Sequence, residues 1–234
     1  MQRRAFNPKT FLTTIGTGRK MMSFRKGQTI YSQHDAADAL FAIQKGTVKL
    51  SVEPKAQKEA ILDILTEGDF VGKDSLAGQS YRTASASAMT DCTLLRIEKR
   101  AMLLALRRHV KLANMFWAYV LARNIRYQQD LVDHHCNSSE KRLARILLLL
   151  ARYDGHGPEI TTPRISHDTL AKMVGTTRSR ICFFMNNFKE SGFIYYEQKG
   201  KLLRVHRTLF AFCASEAADI LNKQLVVADS RDNF

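Results

Sequence analysis

The side chains whose types and spacing best fit a chemical task lie between positions 177 and 201. Thr177, Arg178, Ser179 and Arg180 run together, and Phe183 and Asn186 follow. On a helix, residues 179, 183 and 186 share one face, because side chains three and four apart are neighbours. The two arginines then fall in its first turn. A basic first turn presented outward suits the major groove of duplex DNA, where Arg pairs with guanine and adjacent donors hold phosphate. Phe183 fits either contact with a thymine methyl or cover for the edge of a core. Lys199 and Lys201, on either side of Gly200, offer two more cations to backbone phosphates.

Other chemistry is harder to assemble. His134, His135 and Cys136 are adjacent, and neighbours on a helix point about 100° apart, which suits a polar helix end better than one metal ion. Cys92, Cys136, Cys182 and Cys213 form no C-x-x-C pair, so free thiols are expected rather than a zinc ribbon or an iron–sulfur framework. No phosphate-binding glycine loop, nucleophile elbow or carboxylate pair of catalytic spacing is present. The expectation is a binding protein, with no catalytic and no metal-ligating residue.

Residues 165–194 have the layout needed to present the 177–186 face. Ser166 can cap a short helix containing Leu170, Ala171 and Val174, and Gly175 supplies a turn that tolerates positive φ. Thr176 or Thr177 caps a second helix whose buried face is Ile181, Phe184, Met185 and Phe188. A small residue at the helix crossing, glycine four positions on and a β-branched residue six later make a helix-turn-helix. Two apolar runs, 192–196 and 202–205, then flank the basic turn 198–201, as the two strands of a wing.

Upstream, Asn137-Ser138-Ser139-Glu140 reads as a break and a new start, with Asn137 capping and Glu140 reaching back. Leu143, Ile146, Leu147 and Leu150 give the helix that follows a wide apolar face. Residues 99–135 contain neither proline nor glycine. Within them Met115, Ala118, Ala122, Ile125, Gln129, Val132 and Cys136 alternate by three and four, the seam of a coiled coil. A helix of that length projects beyond one small core, which points to a partner helix. Before it, from about Met22 to Ile97, short apolar runs with glycine between them read as an antiparallel roll. Val48, Leu50 and Val52 alternate as one strand face, with further strands at 40–43, 60–65, 83–88 and 94–97.

Lys and Arg number 36 against 22 acids, a net charge of +14. Such a surplus favours nucleic acid first and anionic membrane second. It is concentrated: residues 96–126 hold eight basic side chains against Glu98, and residues 160–208 hold nine against three. No apolar run, 146–151 included, approaches the roughly 20 residues of a membrane span. Met1-Gln2-Arg3-Arg4 leads into no apolar stretch, so no secretory signal and a cytoplasmic location are expected.

β-roll, long helix, capped hinge and winged helix, in that order, resemble the cyclic-AMP receptor protein and fumarate–nitrate regulator family over nearly the whole chain. Its ligand signature resembles Phe70-Val71-Gly72-Lys73 through Arg82-Thr83-Ala84. Its DNA motif resembles Leu170-Ala171 through Val174-Gly175 to Thr177-Arg178-Ser179-Arg180-Ile181. The resemblance implies an α+β protein with an N-terminal antiparallel β-roll of the cyclic-nucleotide-binding kind (1–109), a long dimerisation helix (110–136) and a C-terminal winged helix-turn-helix (137–234). It also implies a homodimer on a pseudo-palindromic site in double-stranded DNA, coupled to a signal in the β-roll, with RNA polymerase as a further partner.

The departures are informative. Ser179 stands where the family often has Glu, and Phe183 where it has a later Arg, so the operator sequence does not transfer. Arg82 and Thr83 match the pair that holds a cyclic phosphate. Lys73 stands where cyclic-nucleotide binders use Glu for the ribose hydroxyls, and an ammonium has no lone pair to accept with. Tyr127 and Gln128 replace two small hydroxyl residues that meet adenine. The effector set implied is therefore Gly72, Lys73, Arg82, Thr83, Tyr127 and Gln128, holding a cyclic nucleotide or another small anion, with Lys73 weighing against ordinary cyclic AMP, or holding nothing, with Lys73 then paired to Asp74 or Asp69. A cysteine-ligated iron–sulfur sensor is disfavoured, since residues 1–91 lack cysteine. The alternative to a regulator is a cyclic-nucleotide-binding module of a channel or kinase, where a winged helix would have no use.

Overall fold

The computed structural model describes residues 17–53, 59–151, 159–163 (backbone only), 165–197 and 202–213. The chain divides into two compact units, 1–129 and 130–234.

In the first unit the described strands are β1 (Arg19–Phe24), β2 (Thr29–Tyr31), β3 (Ala39–Lys45), β4 (Val48–Val52), β5 (Ala60–Leu65), β6 (Phe70–Val71), β7 (Ser85–Ala88) and β8 (Cys92–Glu98). They pair antiparallel in two four-stranded sheets, ordered β1-β8-β3-β6 and β2-β7-β4-β5. β3 shows why its sequence is a continuous apolar run. Phe41 and Ile43 face the other sheet, in a core with Tyr31, Val48 and Leu65, while Leu40 and Ala42 face helices in a core with Met102 and Phe116. Both faces are covered, so alternation by two survives with no polar side. β4 departs from its expected pattern. The pairing shifts between Leu50 and Ser51, and Ser51 rather than Val52 is buried. The extra residue is Leu62 of β5, so β5 bulges opposite β4 while β4 keeps an unshifted register with β7.

Two helices follow, α1 (Lys99–Arg108) and α2 (Val110–Cys136). The run free of glycine and proline is broken at His109, whose backbone is extended (φ −124°, ψ 91°). α2 buries Leu112 and Phe116 against the sheet, while Tyr119 and Val120 pack partly on it. Trp117, Leu121, Ile125, Leu131 and Val132 are exposed.

The second unit contains α3 (Ser139–Leu150), β9 (Glu159–Pro163), α4 (His167–Val174), α5 (Arg178–Glu190), β10 (Ile194–Glu197), β11 (Leu202–His206) and α6 (Thr208–Cys213). Its core joins Leu143, Leu147, Leu170, Val174, Ile181, Phe188, Ile194 and Val205. The wing is three-stranded, β10-β11-β9, all antiparallel; β9 was not expected. The cap of α3 also differs. Ser138 accepts from the Lys141 N–H, not Asn137. Asn137 cannot serve, because its N–H still bonds Asp133 O at 3.0 Å in the last turn of α2, while a cap needs extended backbone. Its amide donates to Asp133 Oδ1 at 2.7 Å instead. Among the described residues no helix is long and apolar enough to cross a membrane.

Candidate nucleic-acid interface and effector pocket

The helix-turn-helix is assembled by local chemistry. Ser166 caps α4 through the Thr169 N–H at 3.1 Å. Gly175 ends it at φ 72°, and the N–H groups of Gly175 and Thr176 both bond Ala171 O at 3.0 Å. Thr177, not Thr176, then caps α5 through the Arg180 N–H at 3.3 Å. Ile181, Phe184, Met185 and Phe188 are buried. Thr177, Arg178, Ser179, Arg180, Phe183 and Asn186 are all exposed.

Phe183 is 62% exposed although its ring meets Phe184 edge-on, so it stands out from the core rather than covering it. Arg180 lies 5.8 Å from the Phe184 ring, which steers its guanidinium without pairing it. Lys199 and Lys201 lie outside the described residues.

One residue not foreseen anchors this arrangement. Arg142 on α3 donates from Nε to Val174 O at 3.1 Å, and from Nη1 to Asn137 O at 3.1 Å and His134 O at 3.3 Å. It thus caps the carbonyl ends of both α4 and α2 with one planar fork. Arg145 adds ion pairs to Asp130 at 3.0 Å and Asp133 at 2.8 Å. Basic residues on the first turns of α3 were the available signal.

In the first unit, Gly72, Lys73, Arg82 and Thr83 come together around a carboxylate. Gly72 has φ 75°, and a Cβ there would stand 2.5 Å from Arg82 Nη1. Arg82 is 2% exposed; Nη1 donates to Gly72 O at 3.2 Å, Nη2 donates to Ala39 O, and Cζ lies 4.4 Å from the Tyr31 ring. Asp74 takes what remains. Its Oδ1 accepts from Arg82 Nη1 at 3.1 Å and the Ser75 N–H at 3.0 Å, and Oδ2 from the Thr83 N–H at 3.1 Å and Thr83 Oγ1 at 3.4 Å.

Lys73 does not pair with Asp74 or Asp69 as foreseen. Its Nζ donates to Phe70 O at 3.0 Å and lies 5.6 Å from the Tyr119 ring. Asp74 is held by Arg82, and Asp69 by Arg123 Nη2 at 3.2 Å, so each carboxylate already has a guanidinium. Burial, and then the neighbouring Arg123, pull the Lys73 ammonium down to about 8, against Asp63, Asp69 and Asp74.

Tyr127 reaches the same region and Gln128 does not, being exposed. The Tyr127 hydroxyl donates to Asp63 Oδ2 at 3.0 Å, and Arg126 Nη2 to Oδ1 at 3.0 Å; Asp63 is 1% exposed. Burial and then Asp63 push the Tyr127 phenol up, so it remains a donor. Asp63, Tyr119, Arg123 and Arg126 escaped sequence reading, and Asp69 and Asp74 were expected only as partners of Lys73. The one available signal was that Tyr119, Arg123, Arg126 and Tyr127 repeat at helical spacing opposite the apolar stripe of α2.

On that stripe Ala118, Ala122, Ile125, Val132 and Cys136 are exposed, while Met115 and Gln129 are half-buried. Leu121, 58% exposed, and Trp117, 62% exposed, belong to the exposed face and were missed.

Residues 21–109 match the cyclic nucleotide-binding domain family, and residues 141–208 the Crp-like helix-turn-helix domain family. The chain is 30% identical over 174 residues to the cyclic AMP receptor protein of Thermus thermophilus, covering 73% of this chain and 77% of that protein. It is 28% identical over 198 residues to the global nitrogen regulator of Synechococcus elongatus, covering 81% and 89%. FixK2 from Bradyrhizobium japonicum shares the fold, with a TM-score of 0.72 at 17% identity over 84% of this chain and 98% of that one. Each half of the chain thus has its own family match, and the identity to the Thermus protein runs through most of both lengths. The protein belongs to the Crp/Fnr family of DNA-binding transcription regulators.

Proposed function

We propose that the chain acts as a homodimer that reads a pseudo-palindromic operator through α5 and regulates transcription together with RNA polymerase. The observation that carries this is the division of α5: four apolar side chains buried behind it, and Thr177, Arg178, Ser179, Arg180, Phe183 and Asn186 exposed in front. That is what a helix lying in a major groove requires. Phe183 stands out as an apolar probe suited to a thymine methyl. Lys199 and Lys201 hold phosphate on this reading.

A second copy is the partner that suits α2. Its exposed Ala118, Leu121, Ala122, Ile125 and Val132 follow three–four spacing, and alanines allow close helix approach. Two recognition helices then lie about 34 Å apart, one turn of DNA. The pocket around Arg82 and Thr83 derives from cyclic-nucleotide sensing and is an oxyanion site, with Lys73 in place of a ribose acceptor.

The test is selection of bound fragments from a genomic DNA pool, followed by sedimentation with and without the selected duplex. A two-fold symmetric consensus bound by two chains supports the reading. A chain that stays monomeric at micromolar concentration, or retains no duplex DNA, refutes it and favours a ligand-binding module of another signalling system.

A further inference from the structure

The donors that hold an anion in the sensor unit are engaged by the chain itself. Four of them converge on the Asp74 carboxylate: Arg82 Nη1 at 3.1 Å, Ser75 N at 3.0 Å, Thr83 N at 3.1 Å and Thr83 Oγ1 at 3.4 Å. A guanidinium, two amides and a hydroxyl around two oxygens are the set that also binds a phosphate or a free carboxylate. We infer that Asp74 is a built-in counter-anion, and that an external oxyanion binds between Arg82 and Thr83 only by displacing it.

Arg82 has no way to turn to another partner. Its side chain is 1% exposed and pinned by Gly72 O, Ala39 O and the Tyr31 ring, whereas the Asp74 side chain is 17% exposed. Asp74 therefore occupies the more solvent-accessible side of the pair, where an arriving ligand meets it first. A second anion beside it would compete with the Asp74 carboxylate for the one Arg82 guanidinium, with the two negative charges repelling at hydrogen-bond range, a repulsion that partial burial strengthens. Without Asp74, a buried guanidinium would be left without its carboxylate, a state that strongly favours taking up an anion. The remaining charges nearby do not compensate, because Asp63 and Asp69 are held by Arg123 and Arg126. Asp74 thus sets both what the pocket rejects and what it takes once the carboxylate is gone.

The inference rests on reading this pocket as an oxyanion site. The experiment is isothermal titration of the full chain with sodium phosphate and, separately, with cyclic AMP, on wild type, Asp74→Ala and Asp74→Asn. Wild type takes up neither ligand below millimolar concentration. Each variant gains at least about tenfold in affinity for one of them, equivalent to about 1.4 kcal/mol. A gain for phosphate alone marks a simple oxyanion site, and a gain for both marks a pocket that still admits a nucleotide; either supports the inference.

Where loss of Asp74 lowers the melting temperature, phosphate restores it by replacing the counter-ion. Micromolar binding of either ligand by wild type overturns the inference. So do variants that bind neither ligand, or whose melting phosphate leaves unmoved. Duplex retention is measured on all three proteins. A wild type that binds no DNA counts against the regulator reading alone, and DNA binding without the gain in the variants counts against the role of Asp74 alone.

Discussion

Asp63 is the buried carboxylate on which three side chains of α2 meet the sheet. The carboxylate is 1% exposed and accepts from Arg126 Nη2 and the Tyr127 hydroxyl at 3.0 Å each, with Arg123 Nη2 at 3.6 Å. Asp63→Ala removes the shared partner of two α2 donors, Arg126 and Tyr127, and of the Arg123 cation. Breaking one side of a buried ion pair costs about 3–5 kcal/mol. The lower end applies here, since the Arg126 side chain is 25% exposed and regains water, and Arg123 keeps Asp69 at 3.2 Å. A loss of about 3 kcal/mol in a unit of this size lowers its melting temperature by roughly 10 °C. Asp63→Asn keeps the volume and an acceptor for Tyr127, and loses only the charge, so about half that shift is expected. Trp117 is the one tryptophan in the sequence and lies in the same unit on α2, so its fluorescence follows this melt. An Asp63→Ala protein that melts within about 2 °C of wild type refutes the view that this cluster holds α2 to the sheet.

Arg178→Ala lowers affinity for the best operator by about 1–3 kcal/mol and relaxes specificity at one base pair; unchanged binding in a competition gel shift would remove α5 from the groove. Ala122→Glu or Leu121→Glu places like charges across the proposed helix pair and yields monomers by sedimentation, whereas an intact dimer moves the seam elsewhere. Arg142→Ala strips three carbonyls of their donor and lowers stability of the second unit by about 1–3 kcal/mol, with Arg142→Lys recovering little because an ammonium lacks the planar fork; a full rescue by Lys contradicts the capping geometry. Lys73 titrates near 8 when folded against 10.5 unfolded, so the unfolded chain binds the extra proton between those values and wild-type stability rises with pH there. Lys73→Met is therefore more stable than wild type at pH 7 and loses that advantage towards pH 10. Denaturation curves for the two that stay parallel across this range would show the ammonium to be well solvated.

The helix-turn-helix was legible because everything that makes it is local. Capping by Ser166 and Thr177, the turn at Gly175 and the two faces of α5 each depend on residues within a few positions of one another. The strands at 60–65 and 94–97 were legible for the same reason, since alternation or apolar runs betray them. What escaped depends on partners far along the chain. Asp63 and Tyr127 are 64 residues apart and meet only because α2 packs on the sheet. Asp74 sat beside the expected effector residues, but its reach to Arg82 and Thr83 needs the turn after β6. The bulge in β5 opposite β4 leaves no mark in composition, and the cap of α3 moved by one residue because α2 ran on to use Asn137. Leu121 joins the expected Ala118, Ile125 and Val132 on the exposed face of α2, since alternate three–four registers share those three residues.

Gly72 and Arg82 constrain the order in which the sensor is able to change over evolution. With Arg82 pinned in place, any side chain at position 72 arrives 2.5 Å from its Nη1, and the backbone there already has φ 75°. Shortening Arg82 first removes the collision and leaves only the backbone preference to overcome. Replacing Gly72 first requires the pinned guanidinium to shift and strains the backbone while the arginine remains. Losing the arginine while keeping the glycine is therefore the easier order, whereas the reverse order meets the collision and the backbone preference together. A homologue with Arg at 82 and a bulky residue at 72 would have to fold this corner of the roll differently.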